Sequence, residues 1–423
     1  MKIHTFRIMF AALLVLTFMA WLNKITLGPL DQVYIRHVST LLAVFGVVFL
    51  FMQFFLSARI KFFENGFGLD RMLNYHRFFG RIGLGLISLH FILIFLYQWL
   101  ALGRVSLELT NLVGLIALVG LTITAGLAST YKKLGIAYEI WKNIHLINYI
   151  LFPVALFHVF SNATGGSFLY YLWSALATAF SAIILYRLYQ IYRIRNNPFE
   201  VVEVRQEADD IWSLFFKGKI PAYKPGQFLM VQLLNRGKSS SSHPFTISSS
   251  PTWKTISITP KELGDFTSTI KETRVGDKAF IDAPYGVFSY LNYNSDELVF
   301  IAGGIGITPF MSMLRYIGDQ QPDIKVTLFW ANKSEKNLCF QDELELMQEK
   351  IPSFTPVLVM SGQKDWSGEQ GRVNGKLIQK YVSDLKGKDF FVCGPPPMSK
   401  AVRLELEKLK IPRDKIHFEL FEL

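Results

Sequence analysis

The chain has 423 residues and is unusually apolar, with 51% hydrophobic and 15% aromatic residues and a mean hydropathy of +0.28. This composition excludes an ordinary soluble protein, and the length excludes a single domain. The net charge of +11 does not indicate nucleic acid as a partner, because the cations flank apolar segments as they do in membrane proteins.

Six apolar segments occupy the first half of the chain, each close to the roughly 20 residues that cross a bilayer. They are residues 6–23, 37–57, 77–101, 110–128, 141–160 and 168–189. The first segment has no small-residue cleavage site, so it is interpreted as a membrane helix rather than a signal peptide. Lysine and arginine are concentrated in the even-numbered connections and after the sixth segment, which predicts cytoplasmic termini. We expect a six-helix bundle in contact with membrane lipid.

Four histidines in or directly before the third and fifth segments are candidate ligands of two haem irons. His76 and His90 are 14 residues apart, about 21 Å along a helix, and His145 and His158 are 13 apart, about 20 Å. Segments three and five of a serially threaded bundle run parallel, so His76 should face His145 and His90 should face His158. A lone intramembrane histidine is often a packing residue or a proton relay, but four in register favour one haem near each leaflet.

The spacing between His145 and His158 requires a change in helix phase. A spacing of 14 returns His90 to within about 40° of the face of His76, whereas a spacing of 13 leaves His158 about 140° away from His145 on a straight helix. Pro153 lies between the latter two. We expect a proline kink there to correct the phase.

The second half of the chain has the pattern of a two-domain soluble module. After Asn196-Asn197-Pro198, five runs predict an antiparallel β-barrel: Glu200–Arg205, Ile211–Phe216, Gln227–Leu234, Thr255–Thr259 and Lys278–Asp282. From about Asp296, strands and helices alternate, which is typical of a parallel nucleotide-binding sheet. The predicted domains are a transmembrane bundle (1–195), a barrel (196–295) and an α/β domain (296–423).

Two motifs of the α/β domain follow predicted strands. Gly303-Gly304-Ile305-Gly306-Ile307-Thr308-Pro309 opens a helix, and its glycines would let backbone amides approach a pyrophosphate. A tight turn without a ligand is the alternative. Cys393-Gly394-Pro395-Pro396-Pro397-Met398 ends a later strand of the same sheet, so the two motifs should meet in one crevice.

The barrel carries Pro225-Gly226-Gln227-Phe228, His243-Pro244-Phe245-Thr246 and Gly264-Asp265-Phe266-Thr267. Joined to the α/β motifs and the histidine pairs, these motifs resemble the NADPH oxidase and ferric reductase family, most closely its prokaryotic NADPH oxidase homologues. The resemblance covers nearly the whole chain. It implies a ferredoxin–NADP reductase-like module with FAD in the barrel and NADPH in the α/β domain, two b-type haems, and a bacterial cytoplasmic membrane with the module in the cytoplasm. One departure is Asp282-Ala283-Pro284, where the family usually has Asp-Gly-Pro.

The resemblance also implies the binding residues. The flavin set comes from the barrel motifs: His243, Pro244, Phe245, Thr246, Gly264, Phe266 and Thr267. The NADPH set comes from the α/β motifs: Gly304, Gly306, Thr308, Pro309, Cys393 and Gly394. Phe421 resembles the terminal aromatic residue that covers the flavin, and with Cys393 and Thr246 it completes the catalytic candidates. Alternation along the last strand places Phe418 toward the sheet core.

Coenzyme choice depends on the residues that follow the second strand of the α/β domain. Lys333 occupies a position where family members commonly carry arginine, and Arg372 offers a second cation. Cations bind a 2′-phosphate, so NADPH is favoured over NADH. The alternative is that Lys333 is only a solvated surface residue.

The resemblance implies a path for electrons from NADPH through FAD to the inner haem (His76, His145), the outer haem (His90, His158) and an external acceptor. Because both irons would be six-coordinate, one-electron products are expected, either superoxide from O₂ or ferrous iron from a ferric chelate. An electron-delivery module for an extracytoplasmic redox protein is a further alternative, although no obligate protein partner is expected.

Three arginines could contact the haem propionates. Arg77 and Arg81 follow His76 and are candidates at the inner haem, and Arg36 is a candidate at the outer haem. The alternative is the basic flank of a membrane helix, which is the favoured interpretation for Arg81.

Overall fold

The computed structural model describes residues 2–25, 32–105, 108–235, 238–321 and 323–419. The chain divides into two compact units, Met1–Ile191 and Tyr192–Leu423. The boundaries of the three domains expected from the sequence stay a prediction.

The first unit is helical. Its helices are α1 (Lys2–Leu22), α2 (Val33–Ser57), α3 (Lys61–Phe67), α4 (Leu69–Leu102), α5 (Leu109–Thr130), α6 (Tyr138–Leu146), α7 (Asn148–Ser161) and α8 (Phe168–Arg195). In the described ranges, six spans are long and apolar enough to cross a membrane: His4–Leu22, Val33–Ser57, Arg71–Leu102, Leu109–Thr130, Tyr138–Ser161 and Phe168–Arg195. The six expected spans are therefore confirmed.

Glycines let the helices of this unit approach closely. Between α2 and α4, a Cβ at Gly46 would lie 2.6 Å from Ile87, and one at Gly83 would lie 3.1 Å from Phe49. Between α5 and α7, a Cβ at Gly120 would lie 2.7 Å from Leu151. Small residues at such contacts are the usual means of tight packing between membrane helices.

The fifth span is interrupted at Ile147, between α6 and α7, whereas Pro153 lies inside α7. The expected phase correction at Pro153 stays a prediction, and the break at Ile147 is a second place at which the phase of the span can change. At the break, the amide of Ile147 donates to the carbonyl of Ile144 (3.1 Å), a tighter turn than the α-helix.

The second unit begins with an antiparallel barrel. Its strands are β1 (Phe199–Ala208), β2 (Ile211–Lys217), β3 (Phe228–Asn235), β4 (Lys238–Ser239), β5 (His243–Thr246), β6 (Ile256–Ile258) and β7 (Lys278–Tyr285). They run in the order β4-β3-β7-β1-β2-β6, and β5 pairs with β3. A short helix, α9 (Asp265–Ser268), follows β6. All five predicted strands are present.

A parallel sheet follows, with helices between its strands. The elements are β8 (Glu297–Gly303), α10 (Thr308–Gln320), β9 (Lys325–Asn332), α11 (Gln341–Lys350), β10 (Phe354–Met360), β11 (Glu369–Gln370), α12 (Gly375–Tyr381), β12 (Asp389–Cys393), α13 (Pro396–Lys408) and β13 (Ile416–Glu419). The order β11-β10-β9-β8-β12-β13 is parallel throughout. Apolar clusters cover both faces, as expected of a parallel sheet.

Candidate functional site

The membrane unit brings two of the predicted histidines face to face. The rings of His76 on α4 and His145 near the end of α6 have centroids 6.0 Å apart, with their planes at 66°. A metal between two imidazoles lies about 2 Å from each nitrogen, and a ring nitrogen lies roughly 1 Å from the ring centre, so the centres should be about 6 Å apart. The observed separation therefore suits a metal held by this pair.

The other two histidines are His90 on α4 and His158 on α7, and the position of His158 depends on a glycine. Gly114 of α5 lies against the ring of His158, because a Cβ at position 114 would be only 2.8 Å from ring atoms Cε1 and Nδ1. The absence of a side chain at Gly114 leaves room for this imidazole.

Backbone carbonyls orient the histidine rings. Nδ1 of His76 lies 3.2 Å from the carbonyl oxygen of Gln53, and Nδ1 of His158 lies 2.6 Å from that of Thr110. A carbonyl oxygen can only accept a hydrogen bond, so Nδ1 carries the proton and Nε2 keeps a lone pair. This is the arrangement in which a histidine binds a metal through Nε2 and is oriented by a partner at Nδ1.

The remaining two rings have side-chain neighbours as well. Nδ1 of His90 lies 3.0 Å from the carbonyl oxygen of Ser39 and 2.8 Å from its hydroxyl, which donates to the carbonyl of His90. Nδ1 of His145 lies 3.4 Å from Nδ2 of Asn148, whose Oδ1 accepts a hydrogen bond from Thr124. Thr124 also supplies a backbone hydrogen-bond partner to His145, so all four rings are oriented.

The donor set fits haem better than a bare ion. Among the residues with described positions, no group of three or more His, Cys, Asp or Glu side chains could hold a metal. Facing pairs of imidazoles suit an iron whose other four ligands come from a porphyrin, since only the two axial positions are then left for protein. Ligation of haem by these histidines stays a prediction.

The three arginines that were expected to bind the haem propionates form no hydrogen bond with the histidines in the described part of the chain. Arg36, Arg77 and Arg81 are exposed. The guanidinium of Arg77 donates to Oδ1 of Asn74, one turn earlier on the same helix (2.7 Å). Their contact with haem stays a prediction.

In the barrel, the predicted flavin residues cluster around Phe266. The rings of His243 and Phe266 are stacked, with centroids 4.0 Å apart and planes at 14°. The ring of Phe245 lies 5.9 Å from that of Phe266. The motif that contains His243 and Phe245 and the motif that contains Phe266 are more than 20 residues apart in sequence, and they are in direct contact.

The other barrel candidates are held by the backbone. Pro244 pairs with Met230 of β3, and Thr246 is buried. Oγ1 of Thr267 accepts from the amide of Gly264 (2.9 Å) and so closes the turn before α9. Nothing lies within 4 Å of a Cβ built on Gly264, which leaves that side of the turn open to a ligand.

The two α/β motifs meet in one crevice, as predicted. A Cβ at Gly306 would lie 2.4 Å from the carbonyl oxygen of Cys393, and a Cβ at Gly394 would lie 3.1 Å from Cα of Gly303. A Cβ at Gly303 would lie 2.4 Å from Sδ of Met398. Only glycine allows these backbones to approach so closely.

The turn before α10 is fixed by contacts that the sequence did not indicate. Nε1 of Trp330, a buried residue of β9, donates to the carbonyl of Gly304 (2.9 Å). Oγ1 of Thr308 donates to the carbonyl of Ile305 (3.1 Å), and Pro309 occupies the first turn of α10. A Cβ at Gly304 would meet nothing within 4 Å. The sequence offered one signal for this contact: Trp330 ends a predicted strand, and the N–H of a buried tryptophan needs an acceptor.

Cys393 is fully buried at the end of β12. Burial raises the pKa of its thiol well above the ordinary value, and the nearby Glu419 raises it further. The side chain therefore stays a neutral thiol at physiological pH and cannot serve as a thiolate nucleophile.

The two predicted coenzyme cations are exposed at one edge of the sheet. Lys333 follows β9, and Arg372 lies two residues after β11, with β10 between the two strands. Neither forms an ion pair within the described ranges. Both cations are thus available to an anionic ligand at the carboxyl ends of these strands.

The last catalytic candidate, Phe421, lies outside the described residues. Its neighbour Phe418 is half-buried and packs against one apolar face of the sheet, where the guanidinium carbon of Arg403 lies 4.3 Å from its ring centre. His417 is the more deeply buried residue of β13. Phe418 therefore packs against the sheet core, as expected, but it lies at the edge of that core and is only partly buried.

Three families match successive parts of the chain. Residues 42–156 match the ferric reductase like transmembrane component, residues 196–289 an FAD-binding domain, and residues 300–404 the oxidoreductase NAD-binding domain. The chain has the NADPH oxidase/ferric reductase architecture. It combines a ferric-reductase-like transmembrane domain with an FAD-binding domain and an oxidoreductase NAD-binding domain.

Curated relatives match about half of the chain. The glycine betaine monooxygenase reductase subunit of Chromohalobacter salexigens is 31% identical over 232 residues, which are 52% of this chain. The chain spans 62% of that subunit's length.

Solved structures are similar to this chain at lower identity. A flavohemoglobin from Malassezia yamatoensis with bound FAD and haem has a TM-score of 0.51 and 18% identity, covering 92% of this chain and 97% of its own. A ferredoxin NADP⁺ reductase from Neisseria gonorrhoeae has a TM-score of 0.46 and 20% identity, covering 53% of this chain and 98% of its own.

Proposed function

We propose that this protein passes electrons from cytoplasmic NADPH, with FAD and two b-type haems as carriers, to a one-electron acceptor on the other side of a bacterial cytoplasmic membrane. The preferred acceptor is O₂, which would give superoxide. The observation that carries the proposal is the facing pair of His76 and His145, 6.0 Å apart, in a chain that continues into FAD- and NAD-binding domains.

When bound, FAD supplies the conversion between two-electron hydride chemistry and the one-electron chemistry of haem iron. The four histidines would fill both axial positions of each iron. No coordination position would then be left for O₂, so the acceptor would take single electrons at the outer face. This favours superoxide as the product from O₂.

The residues of the module would place and shield the coenzymes. Gly303, Gly306 and Gly394 let the two strand ends pack closely, and Gly304, where a Cβ would meet nothing within 4 Å, leaves the turn open so that backbone amides could approach a diphosphate. His243 and Phe266 offer a stacked aromatic surface in the barrel. The buried, neutral Cys393 would border the nicotinamide pocket without adding charge.

The match of residues 42–156 to the ferric reductase like transmembrane component favours a second candidate function. A ferric chelate would then replace O₂ as the acceptor. Neither candidate requires open coordination at the outer haem, so the histidine pairs support both equally.

The deciding experiment uses the purified full chain with NADPH and FAD, and follows the reduction of cytochrome c. Reduction that superoxide dismutase abolishes would support the oxidase. Dismutase-resistant reduction of a ferric chelate would support the ferric reductase, and no reduction of either without an added redox protein would contradict both and favour an electron-delivery module. His158→Ala should abolish reduction at the outer face and remove one haem, while flavin reduction by NADPH persists.

A further inference from the structure

Helix α10 joins the two halves of the reductase module. It starts at Thr308, directly after the glycine-rich turn, and two of its side chains reach the barrel. Oγ of Ser312 donates to the carbonyl of Ser249 (2.7 Å), and Nη1 of Arg315 donates to the carbonyl of Ser248 (2.6 Å). Both serines follow β5, the predicted flavin strand, within three residues.

Arg315 is built into this contact. Its side chain is 3% exposed, and Nε and Nη2 donate to the two oxygens of Glu343 at 2.7 and 2.6 Å. The guanidinium carbon also lies 5.0 Å from a ring centre of Trp253, in the barrel, and 5.1 Å from that of Phe340, in the α/β domain. A bidentate ion pair between two aromatic rings leaves the guanidinium little freedom.

The rest of α10 follows the barrel closely. A Cβ at Gly226 would lie 2.3 Å from Cε of Met313 and 2.3 Å from the carbonyl oxygen of Phe288, and the positive φ of +92° also requires glycine there. Near the end of the helix, Oγ1 of the exposed Thr252 donates to Asp319 (2.5 Å). The barrel therefore contacts α10 from its first turns to its last.

We infer that Ser312 and Arg315 are positioning residues for hydride transfer, which rests on the proposed function. They lie four and seven residues after Thr308, about 6 and 10 Å along the helix. They would fix the turn that binds the NADPH pyrophosphate relative to the strand that binds the flavin. Hydride transfer needs the reacting atoms about 3–3.5 Å apart, and a misplacement of about 1 Å can cost roughly 100-fold in rate.

A purely structural role predicts a different result. If the contact only stabilised the fold, its loss would lower FAD content and thermal stability, but flavin that remained bound would be reduced at the normal rate. A positioning role predicts a loss in the limiting rate of flavin reduction, with little change in the affinity for NADPH.

The test is anaerobic stopped-flow reduction of the flavin by NADPH in the FAD-loaded full chain, with variants Ser312→Ala, Arg315→Met and Arg315→Lys. For Arg315→Met we expect a limiting rate lowered about 10- to 100-fold, an apparent Kd for NADPH within about twofold, and a weaker nicotinamide–flavin charge-transfer absorbance. Ser312→Ala, which removes one neutral hydroxyl, should lower the rate several-fold. Arg315→Lys should recover part of the rate, since a lysine can reach one of the two partners.

Thr252→Val is the matched control for Ser312→Ala, because it removes a hydroxyl from the same interface far from the turn and should leave the rate within about twofold. A normal limiting rate in both Ser312→Ala and Arg315→Met would overturn the inference, whatever their stability. Wild-type flavin that NADPH does not reduce would instead overturn the proposed function, and the inference with it.

Discussion

Two exposed side chains at the edge of the parallel sheet decide the choice of coenzyme in our proposal. Lys333→Ala and Arg372→Ala should each raise the KM for NADPH about fivefold, since an exposed charge contact contributes about 1 kcal/mol or less. The KM for NADH should change little, because only NADPH carries the 2′-phosphate. Lys336→Ala, in the same exposed loop as Lys333, is the control. Equal changes for both coenzymes would show that these cations bind another part of the molecule.

His417 is expected to make the stability of the reductase module depend on pH. Burial lowers the pKa of His417, and it outweighs the opposing hydrogen bond and charge of Asp389, which also pairs with Lys415. Tyr293 stacks on the ring at 3.7 Å, and Asp414 adds a small raising effect. The folded protein thus favours the neutral imidazole. The stability from this residue is present above the ordinary histidine pKa of about 6.5 and is lost as the pH falls below it.

The measurement is the midpoint of thermal FAD release at pH 7.5 and at pH 5.5. Wild type should lose more stability between these two values than His417→Gln, in which nothing titrates at this position. A pH profile of His417→Gln identical to that of wild type would contradict the assignment.

At the scale of helices, the place of His158 depends on how closely α5 packs against α7. Gly114→Ala should lower the content of one haem, because the added Cβ would lie 2.8 Å from the imidazole. Gly126→Ala is the control on the same helix, since a Cβ there meets nothing within 4 Å. The haem-to-protein ratio, from absorbance spectra of purified variants, checks this. An unchanged ratio in Gly114→Ala would mean that the ring moves without losing its ligand role.

Hydropathy and strand periodicity were sufficient to predict most helices and strands, because the burial of apolar side chains determines both patterns. The break at Ile147 was not predicted, since the sequence has neither glycine nor proline at that position. The predicted alternation of strands and helices after Asp296 does not by itself locate the short strand β11 or helices α12 and α13. β11 spans only two residues, which leaves no periodicity to read, and α12 has only seven.

Motif residues that meet in space were predictable where the fold rule is general, as for Gly306 and Cys393 at adjacent strand ends. The partners that orient them were not predictable. His76 and His158 are held by backbone carbonyls of Gln53 and Thr110, and any residue type supplies a carbonyl. Likewise, no motif indicates that Arg315 would contact the carbonyl of Ser248.

For the whole molecule, the charge pattern predicts that the reductase module lies in the cytoplasm. Both native cysteines are buried, and burial raises the pKa of Cys339 to about 12, so they should not react with a membrane-impermeant maleimide. Thr164→Cys, in an exposed external connection, should be labelled in intact cells. Lys133→Cys, in an exposed internal connection, should be labelled only after lysis. The reverse pattern would contradict the orientation.

The histidines are divided between two groups of helices, and this has a consequence for biogenesis. His76 and His90 belong to the α2–α4 pair, whereas His145 and His158 belong to α6 and α7, which pack with α5. Aromatic contacts such as Phe54 with Phe152 already join the two groups. Under the proposed function, each haem would add two metal bonds that cross-link them, so insertion of the prosthetic group would complete the assembly of the bundle. Iron limitation should then reduce the amount of mature protein in the membrane as well as its activity.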